Sequence, residues 1–208
     1  MNEYDERINA IRLMPVLSLP DVESGLRLCA MLGEHGFKAV EITFRTACAQ
    51  EAIARIREQH PEMLVLAGTV LSPEQVHAAA LAGAAAMVSP GCEPAMVGEC
   101  LKLGLPVIPG VCTPSEVQVA MSFGLARLKF FPAELAGGTK MVKALLSVYR
   151  TISLMPTGGI TLDNLMSYLA LERVFCCGGT WLAPESLLAG GEWQEIEQRI
   201  KKAADALS

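Results

Sequence analysis

Residues 14–44 read MPVLSLPDVESGLRLCAMLGEHGFKAVEITF, and this stretch predicts a strand, a helix and a second strand. The apolar runs MPVLSL and KAVEITF have the length of buried strands, while the segment between them has the apolar spacing of an amphipathic helix. Asp21 is a suitable N-cap for that helix, and Gly36 is a suitable residue to end it. Two such strands flanking one helix are typical of a parallel strand–helix–strand unit.

The same alternation continues along the chain. Six further apolar runs follow at intervals of about 20 to 25 residues, as in folds built from repeated strand–helix units. These runs are residues 63–68, 86–89, 106–110, 126–131, 152–159 and 173–179. Helix start signals and terminal glycines lie between them, at Ser72-Pro73, Thr113-Pro114, Gly83, Gly104 and Gly124.

Eight such units in 208 residues predict an α/β fold, a TIM (β/α)8 barrel that forms a single domain over residues 1–208. An open, doubly wound sheet is the alternative fold. Residues 5–12, DERINAIR, are predicted to form a helix that closes the bottom of the barrel, and residues 192–208 are predicted to form the last outer helix. Barrel enzymes carry their chemistry at the C-terminal ends of the strands, which we call the mouth.

Composition narrows the possible partners. The net charge is −5 and the 17 Lys and Arg residues are dispersed, so nucleic acid is not an expected partner. No apolar run is long enough to span a bilayer, and the first residues lack the features of a targeting peptide. The seven cysteines lie mostly in apolar stretches, as expected of reduced thiols in the cytoplasm. Neither cysteines nor the three histidines have zinc-like spacing, so neither a metal nor a cofactor is expected.

The run ARLKFF (126–131) places a lysine inside an apolar strand. With a period of two, Lys129 and Phe131 share one face, and Leu128 and Phe130 share the other. If the second face meets the helices, Lys129 points into the mouth, where loss of water favours the neutral amine that can attack a carbonyl. The alternative is a lysine that pairs with a carboxylate for structural reasons alone.

The run KAVEITF (38–44) carries an acid, and an arginine follows it, which together could act with Lys129. Glu41 lies in an apolar strand on the same face as Thr43, and Arg45 follows that strand. A buried glutamate is costly without a partner, so Glu41 is either an ion-pair partner or a catalytic acid/base. An amine, a proton shuttle and a guanidinium that binds a carboxylate are what a keto-acid lyase needs, which favours catalysis.

Glycine-rich exits follow three other runs. Gly68-Thr69 offers a close backbone approach and a hydroxyl for a substrate oxygen. The segments PTGG (156–159) and CGGT (177–180) end the seventh and eighth runs, and barrels often bind phosphate in the loops that follow those two strands. The alternative is that these glycines only allow tight turns.

With these positions identified, the sequence resembles the bacterial 2-keto-3-deoxy-6-phosphogluconate (KDPG) and 4-hydroxy-2-oxoglutarate (KHG) aldolase family. The resemblance runs from about Met14 to Trp181. The motifs that carry it are VEITFRT (40–46), AGTV (67–70), SPG (89–91), IPGV (108–111), KFFPAE (129–134), PTGGI (156–160) and GGTW (178–181). The resemblance implies a metal-free class I aldolase that forms a homotrimer and acts on a small keto acid.

The resemblance also implies roles for particular residues. Lys129 would form the Schiff base and Glu41 would move the protons, while Arg45 and Thr69 would bind the pyruvate portion. The far end of the substrate, including its phosphate, would contact Thr157, Gly158, Gly159 and Thr180. Pro90, Phe131 and Gly179 complete the predicted substrate-binding set.

Two positions depart from the family pattern. Thr180 stands where the family usually has serine, and Cys92-Glu93 is unusual in the loop after the fourth run. Arg45 favours the gluconate branch over the related phosphogalactonate aldolases, which lack this arginine. Two other functions stay open, namely another phosphate-binding barrel isomerase or synthase and a barrel that binds a ligand without catalysis.

Overall fold

The computed structural model describes residues 3–208, in which parallel strands alternate with helices. The strands are β1 (Leu13–Leu17), β2 (Ala39–Thr43), β3 (Leu64–Gly68), β4 (Met87–Val88), β5 (Val107–Ile108), β6 (Gly110–Val111), β7 (Arg127–Phe130), β8 (Ser153–Pro156) and β9 (Cys177–Gly179). The helices are α1 (Glu3–Asn9), α2 (Val22–Glu34), α3 (Ala49–Gln59), α4 (Pro73–Leu81), α5 (Pro94–Lys102), α6 (Pro114–Ser122), α7 (Gly138–Val148), α8 (Leu162–Leu169), α9 (Glu185–Ala189) and α10 (Trp193–Leu207).

The strands close into a barrel. One sheet has the order β5-β4-β3-β2-β1-β9 and a second has the order β6-β7-β8. Pro109 separates β5 from β6 within the fifth predicted run, because proline has no N–H to donate to a ladder. Single bridges from Leu154 to Val174 and from Thr157 to Gly178 join β8 to the last strand position. The ring therefore has eight strand positions, and the predicted (β/α)8 barrel is confirmed.

The core has an inner and an outer part. The outer part lies between strands and helices and includes Leu128 and Phe130, as their alternation predicts. The inner part fills the barrel, and α1 contributes the fully buried Ile8 to it, beside residues that begin β2 and β3. The predicted N-terminal helix therefore does close the bottom of the barrel, although it spans Glu3–Asn9 and not residues 5–12.

Helix ends follow the predicted signals. Asp21, Ser72 and Thr113 each accept a hydrogen bond from the backbone N–H three residues later. The predicted terminal glycines adopt φ angles between 67° and 84°, a left-handed region in which a side chain is disfavoured. They are Gly36, Gly83, Gly104 and Gly124.

Two predicted strands are too long. The run 173–179 contributes only Cys177–Gly179, because Arg173 adopts a φ of 66° and turns the chain. Its guanidinium donates to the carbonyls of Leu146, Tyr149 and Ile152, which hold that turn in place. The run 152–159 ends at Pro156, ahead of two glycines with positive φ. Within residues 3–208, no helix has the length and apolar character needed to cross a membrane.

Candidate active site

A lysine and a glutamate meet inside the barrel. Lys129 of β7 and Glu41 of β2 occupy opposite positions of the ring, and the lysine Nζ donates to the glutamate Oε1 over 3.0 Å. Lys129 is 5% exposed and Glu41 is fully buried. The sixth predicted run thus turns its lysine inward, as the period-two pattern indicated. The structure adds that this lysine contacts the glutamate of the second run.

The carboxylate of Glu41 has one oxygen to spare. Its Oε2 is buried and has no hydrogen-bond partner within residues 3–208. Buried polar atoms are nearly always paired, so an unpaired one marks a place where a ligand or water belongs. The site therefore contains an amine held by one carboxylate oxygen and a second oxygen free to accept a proton.

The side chain of Glu41 packs directly against Gly68. A Cβ on Gly68 would lie 2.3 Å from Oε1 and 2.5 Å from Cγ of that glutamate. The sequence suggested that this close approach suits a substrate oxygen, and the side chain that uses the space in the structure is that of Glu41. The glycine is needed because the neighbouring strand carries a buried glutamate whose side chain lies across it.

Thr69 has a strained backbone. Its φ is 55°, a left-handed value that is a genuine outlier for a β-branched residue and costs about 1–3 kcal/mol. Such strain concentrates at functional sites. The strain therefore adds an independent reason to regard Thr69 as a functional residue.

Phe131 continues the inward face of β7. Its ring centroid lies 5.6 Å from the Lys129 Nζ, within the range of a cation–π contact. Thr43, on the same face of β2 as Glu41, donates its hydroxyl to the carbonyl of Leu17 over 2.9 Å. The hydroxyl of Thr43 thus ties β2 to β1, while Phe131 shields the lysine.

A second cluster surrounds the turn after β8. Gly158 and Gly159 have φ angles of 96° and 79°. Their carbonyls are held on the protein side, by the backbone N–H of Glu134 at 3.1 Å and by Asn164 Nδ2 at 3.0 Å. Among the hydrogen bonds of residues 3–208, none uses the N–H of either glycine as a donor. Free N–H groups in such a turn are suited to an anion.

The glycines of β9 are each packed against a neighbouring side chain. A Cβ on Gly178 would lie 2.3 Å from the Thr157 Oγ1, and one on Gly179 would lie 1.9 Å from the Trp181 ring. Both glycines lie at the end of the last strand, as the predicted run 173–179 has them. Close packing by two neighbouring side chains explains why both positions are glycine.

Arg45 and Thr180 share a cavity. This cavity measures about 260 Å³ and is lined by residues that include Ser18, Thr43, Arg45, Thr180 and Trp181. The family resemblance implied that Arg45 and Thr180 bind opposite ends of a substrate, whereas both line this one cavity. Their proximity means that a guanidinium is also available beside Thr180. Ser18 was missed, although its position directly after β1 is the signal that could have identified it.

The loop after β4 has a structural explanation. A Cβ on Gly110 would lie 2.0 Å from the Pro90 carbonyl oxygen, so β6 packs closely against this loop. Glu93, unusual for the resembled family, is the N-cap of α5 and accepts from the Met96 N–H over 2.6 Å. Burial raises the pKa of the Cys92 thiol, with further contributions from the carboxylates of Glu116 and Glu93.

Residues 3–208 contain no group of three His, Cys, Asp or Glu side chains arranged to hold a metal ion. The fold and the site together define a class, a (β/α)8-barrel enzyme with a lysine–carboxylate pair toward its mouth.

Comparison with known proteins identifies the family within that class. The model of the KDPG and KHG aldolase family matches residues 4–199. A 2-dehydro-3-deoxy-phosphogluconate aldolase of Treponema pallidum is 44% identical over 191 residues, which cover 92% of this chain and 91% of that protein. The KHG/KDPG aldolase of Escherichia coli is 37% identical, with 93% and 91% covered. The chain belongs to the KDPG and KHG aldolase family.

A solved structure of the same family has the same fold as this chain. A KDPG aldolase from Legionella pneumophila superposes with a TM-score of 0.91 at 34% identity, covering 97% of this chain and 98% of the other. That crystal structure contains pyruvate captured as a covalent carbinolamine.

Proposed function

We propose that this protein is a class I aldolase that cleaves KDPG to pyruvate and glyceraldehyde 3-phosphate. It would also cleave KHG, more weakly, to pyruvate and glyoxylate. The observation that carries the proposal is the buried Lys129–Glu41 pair, in which the glutamate keeps a second oxygen free. Membership of the KDPG and KHG aldolase family supports the same chemistry.

The first half of the reaction forms the Schiff base. Glu41 accepts a proton from the ammonium of Lys129, and the neutral amine attacks the C2 ketone carbon to give a carbinolamine. Glu41 then returns a proton to the carbinolamine hydroxyl, which leaves as water. The product is an iminium cation that joins C2 to Nζ.

The second half cleaves the carbon–carbon bond. Glu41, which is again a carboxylate after the dehydration, removes the proton of the C4 hydroxyl, the C3–C4 electron pair moves into the iminium, and the aldehyde leaves. The remaining enamine of pyruvate takes that proton from Glu41 at C3, and water hydrolyses the resulting iminium to free pyruvate and Lys129. The iminium supplies the electron sink, so the mechanism needs no metal.

Binding residues would divide by substrate region. Thr69 and Arg45 would hold the pyruvate carboxylate, with Phe131 and Pro90 beside the reacting carbons. The phosphate would meet the N–H groups of Gly158 and Gly159, which have no other acceptor within residues 3–208. Thr157, Gly179 and Thr180 complete the set. Because Arg45 also lines the cavity of Thr180, its guanidinium would add attraction at the phosphate end.

A coupled assay tests this function. Pyruvate release would be followed with lactate dehydrogenase for KDPG, for the same sugar acid without phosphate, and for KHG. We expect KDPG to be cleaved best, by about 100-fold or more in kcat/KM over the unphosphorylated sugar acid. Absence of pyruvate from all three substrates would contradict the proposal and favour the isomerase or synthase alternative.

Assembly and location belong to the same proposal. A homotrimer is what the family resemblance implies, and exposed apolar residues such as Leu81, Leu101 and Leu103 on and after α4 and α5 offer surface for contacts between copies. Light scattering should give three times the chain mass of 22.2 kDa.

The state of the cysteines bears on the cellular location. Seven free thiols suit a reducing compartment, which supports the cytoplasm.

A further inference from the structure

A buried tyrosine is bonded to the segment that follows β7, and this segment packs against the turn at Gly158 and Gly159. Tyr168 of α8 is fully buried, and its hydroxyl donates to the Oε1 of Glu134, in the segment that follows β7. Burial raises the pKa of Tyr168, and the Glu134 carboxylate raises it further. The hydroxyl therefore stays protonated, as a donor to Glu134, at neutral pH.

Glu134 contacts the turn at Gly158 and Gly159 through both its backbone and its side chain. Its backbone N–H donates to the Gly158 carbonyl over 3.1 Å. Its side chain lies over Gly159, where an added Cβ would be 2.7 Å from both Cβ and Cγ of the glutamate. The residue therefore spans the turn, and its carboxylate is fixed on the far side by Tyr168.

The result is a turn whose carbonyls are bonded to the protein and whose N–H groups are left as donors. The carbonyls of Gly158 and Gly159 are bonded to Glu134 and Asn164, while their N–H groups have no acceptor within residues 3–208. Glycines with positive φ have many accessible conformations, so a separate device must select this one. Preorganised donors bind an anion more tightly than mobile ones, because the cost of ordering them has already been met.

We propose that Glu134 and Tyr168 are positioning residues that hold the Gly158–Gly159 turn in its phosphate-binding conformation and thereby set the preference for phosphorylated over short keto acids. The proposal rests on the proposed function, since it assumes that the turn receives the substrate phosphate. Neither residue touches the substrate. Each acts through the glycine backbone, so its loss should appear in the recognition of phosphate and leave the chemistry at Lys129 in place.

The test compares Tyr168→Phe with a matched control. Tyr149→Phe removes the same hydroxyl from a bond to the Pro114 carbonyl, outside the glycine turn. We expect Tyr168→Phe to raise KM for KDPG by about five-fold, because the turn keeps its N–H donors and loses only part of their preorganisation, with kcat nearly unchanged. KHG cleavage should change by less than about two-fold in Tyr168→Phe, and Tyr149→Phe should match the wild type on both substrates.

Substitutions of Glu134 guard against a folding defect. Glu134→Ala should reproduce Tyr168→Phe, whereas Glu134→Gln keeps an acceptor for the hydroxyl and should retain the preference for KDPG. Equal losses on KDPG and KHG, or no loss in Tyr168→Phe, would overturn the inference while leaving the aldolase function intact.

Inorganic phosphate gives a readout that does not need turnover. Its dissociation constant, measured by titration calorimetry, should rise in Tyr168→Phe by about the same five-fold and stay unchanged in Tyr149→Phe. If the wild type released no pyruvate from either substrate, the proposed function would fail, but this phosphate measurement would still decide the positioning role. Equal phosphate affinity in wild type and Tyr168→Phe, or none in either, would reject it.

Discussion

The lysine centre and the glycine turn recognise opposite ends of one proposed substrate by different means. The centre consists of two buried, charged side chains from strands on opposite sides of the barrel. The turn consists of backbone N–H groups on two glycines that are at least partly exposed. Removing the reactive group of one side chain should abolish activity at the lysine centre. Removing one contact at the glycine turn should only lower the affinity for phosphate, because several N–H donors contribute to it.

Replacing the lysine should have the largest effect. Lys129→Ala removes the amine that donates to Glu41 and should lower turnover of KDPG by roughly 10,000-fold or more, measured by coupled pyruvate release. Lys129→Arg keeps a cation beside the carboxylate but cannot supply a neutral amine, so it should be equally inactive.

The arginine variant also separates two readings of the buried pair. If Lys129 served only as a structural partner of Glu41, Lys129→Arg would stay active. Activity above the level of Lys129→Ala would therefore argue against a Schiff base. Circular dichroism would check that both variants are folded, since loss of one partner leaves a buried charge uncompensated.

The next largest effect belongs to the proton shuttle. Glu41→Gln keeps the shape and one hydrogen-bond acceptor for Lys129 but removes the base. Exchange of the pyruvate methyl protons with deuterium, followed by proton NMR, should slow by roughly 100-fold or more. Unchanged exchange in a folded variant would reject the role and leave Glu41 as a structural ion-pair partner.

At the phosphate end the effect should be smaller and selective. Thr180→Val removes one hydroxyl from the cavity that also contains Arg45. The kcat/KM for KDPG should fall by roughly ten-fold, and KHG should be scarcely affected. Thr180→Ser, which keeps the hydroxyl, serves as the control. Equal losses on both substrates would mean that Thr180 supports the pyruvate region or the fold.

Metal removal should have no effect. The proposed iminium withdraws the electrons that a metal would otherwise withdraw, so full activity on KDPG should survive exhaustive treatment with EDTA. Activity that is lost on chelation and restored by Zn²⁺ or Mg²⁺ would overturn the class I assignment. A parallel sample kept in metal-free buffer without chelator controls for slow inactivation.

Sequence patterns predicted the centre better than the glycine-rich positions. A lysine and a glutamate inside apolar strands are costly, so their pairing followed from alternation and burial. For glycines the pattern gives only the absence of a side chain and leaves open what fills the space. Gly68 accommodates Glu41 and Gly179 accommodates Trp181, and both neighbours are known only once the strands are in register.

Other differences have the same origin in tertiary contacts. The run 173–179 has the composition of a strand, but Arg173 finds three carbonyls near the end of α7 and turns the chain. Glu93, which departs from the family pattern, caps α5 in the structure. Local sequence gives strand and helix positions to within a few residues, and long-range contacts then decide where each strand begins.

Reduction of the Schiff base is the most direct test of the account. The protein would be incubated with pyruvate and sodium borohydride, digested, and examined by mass spectrometry. We expect one pyruvate-derived group per chain, located on Lys129, and no such group in Lys129→Ala. Labelling at Lys38, Lys102 or Lys140 in place of Lys129, or no labelling, would contradict the assignment of the buried lysine as the nucleophile.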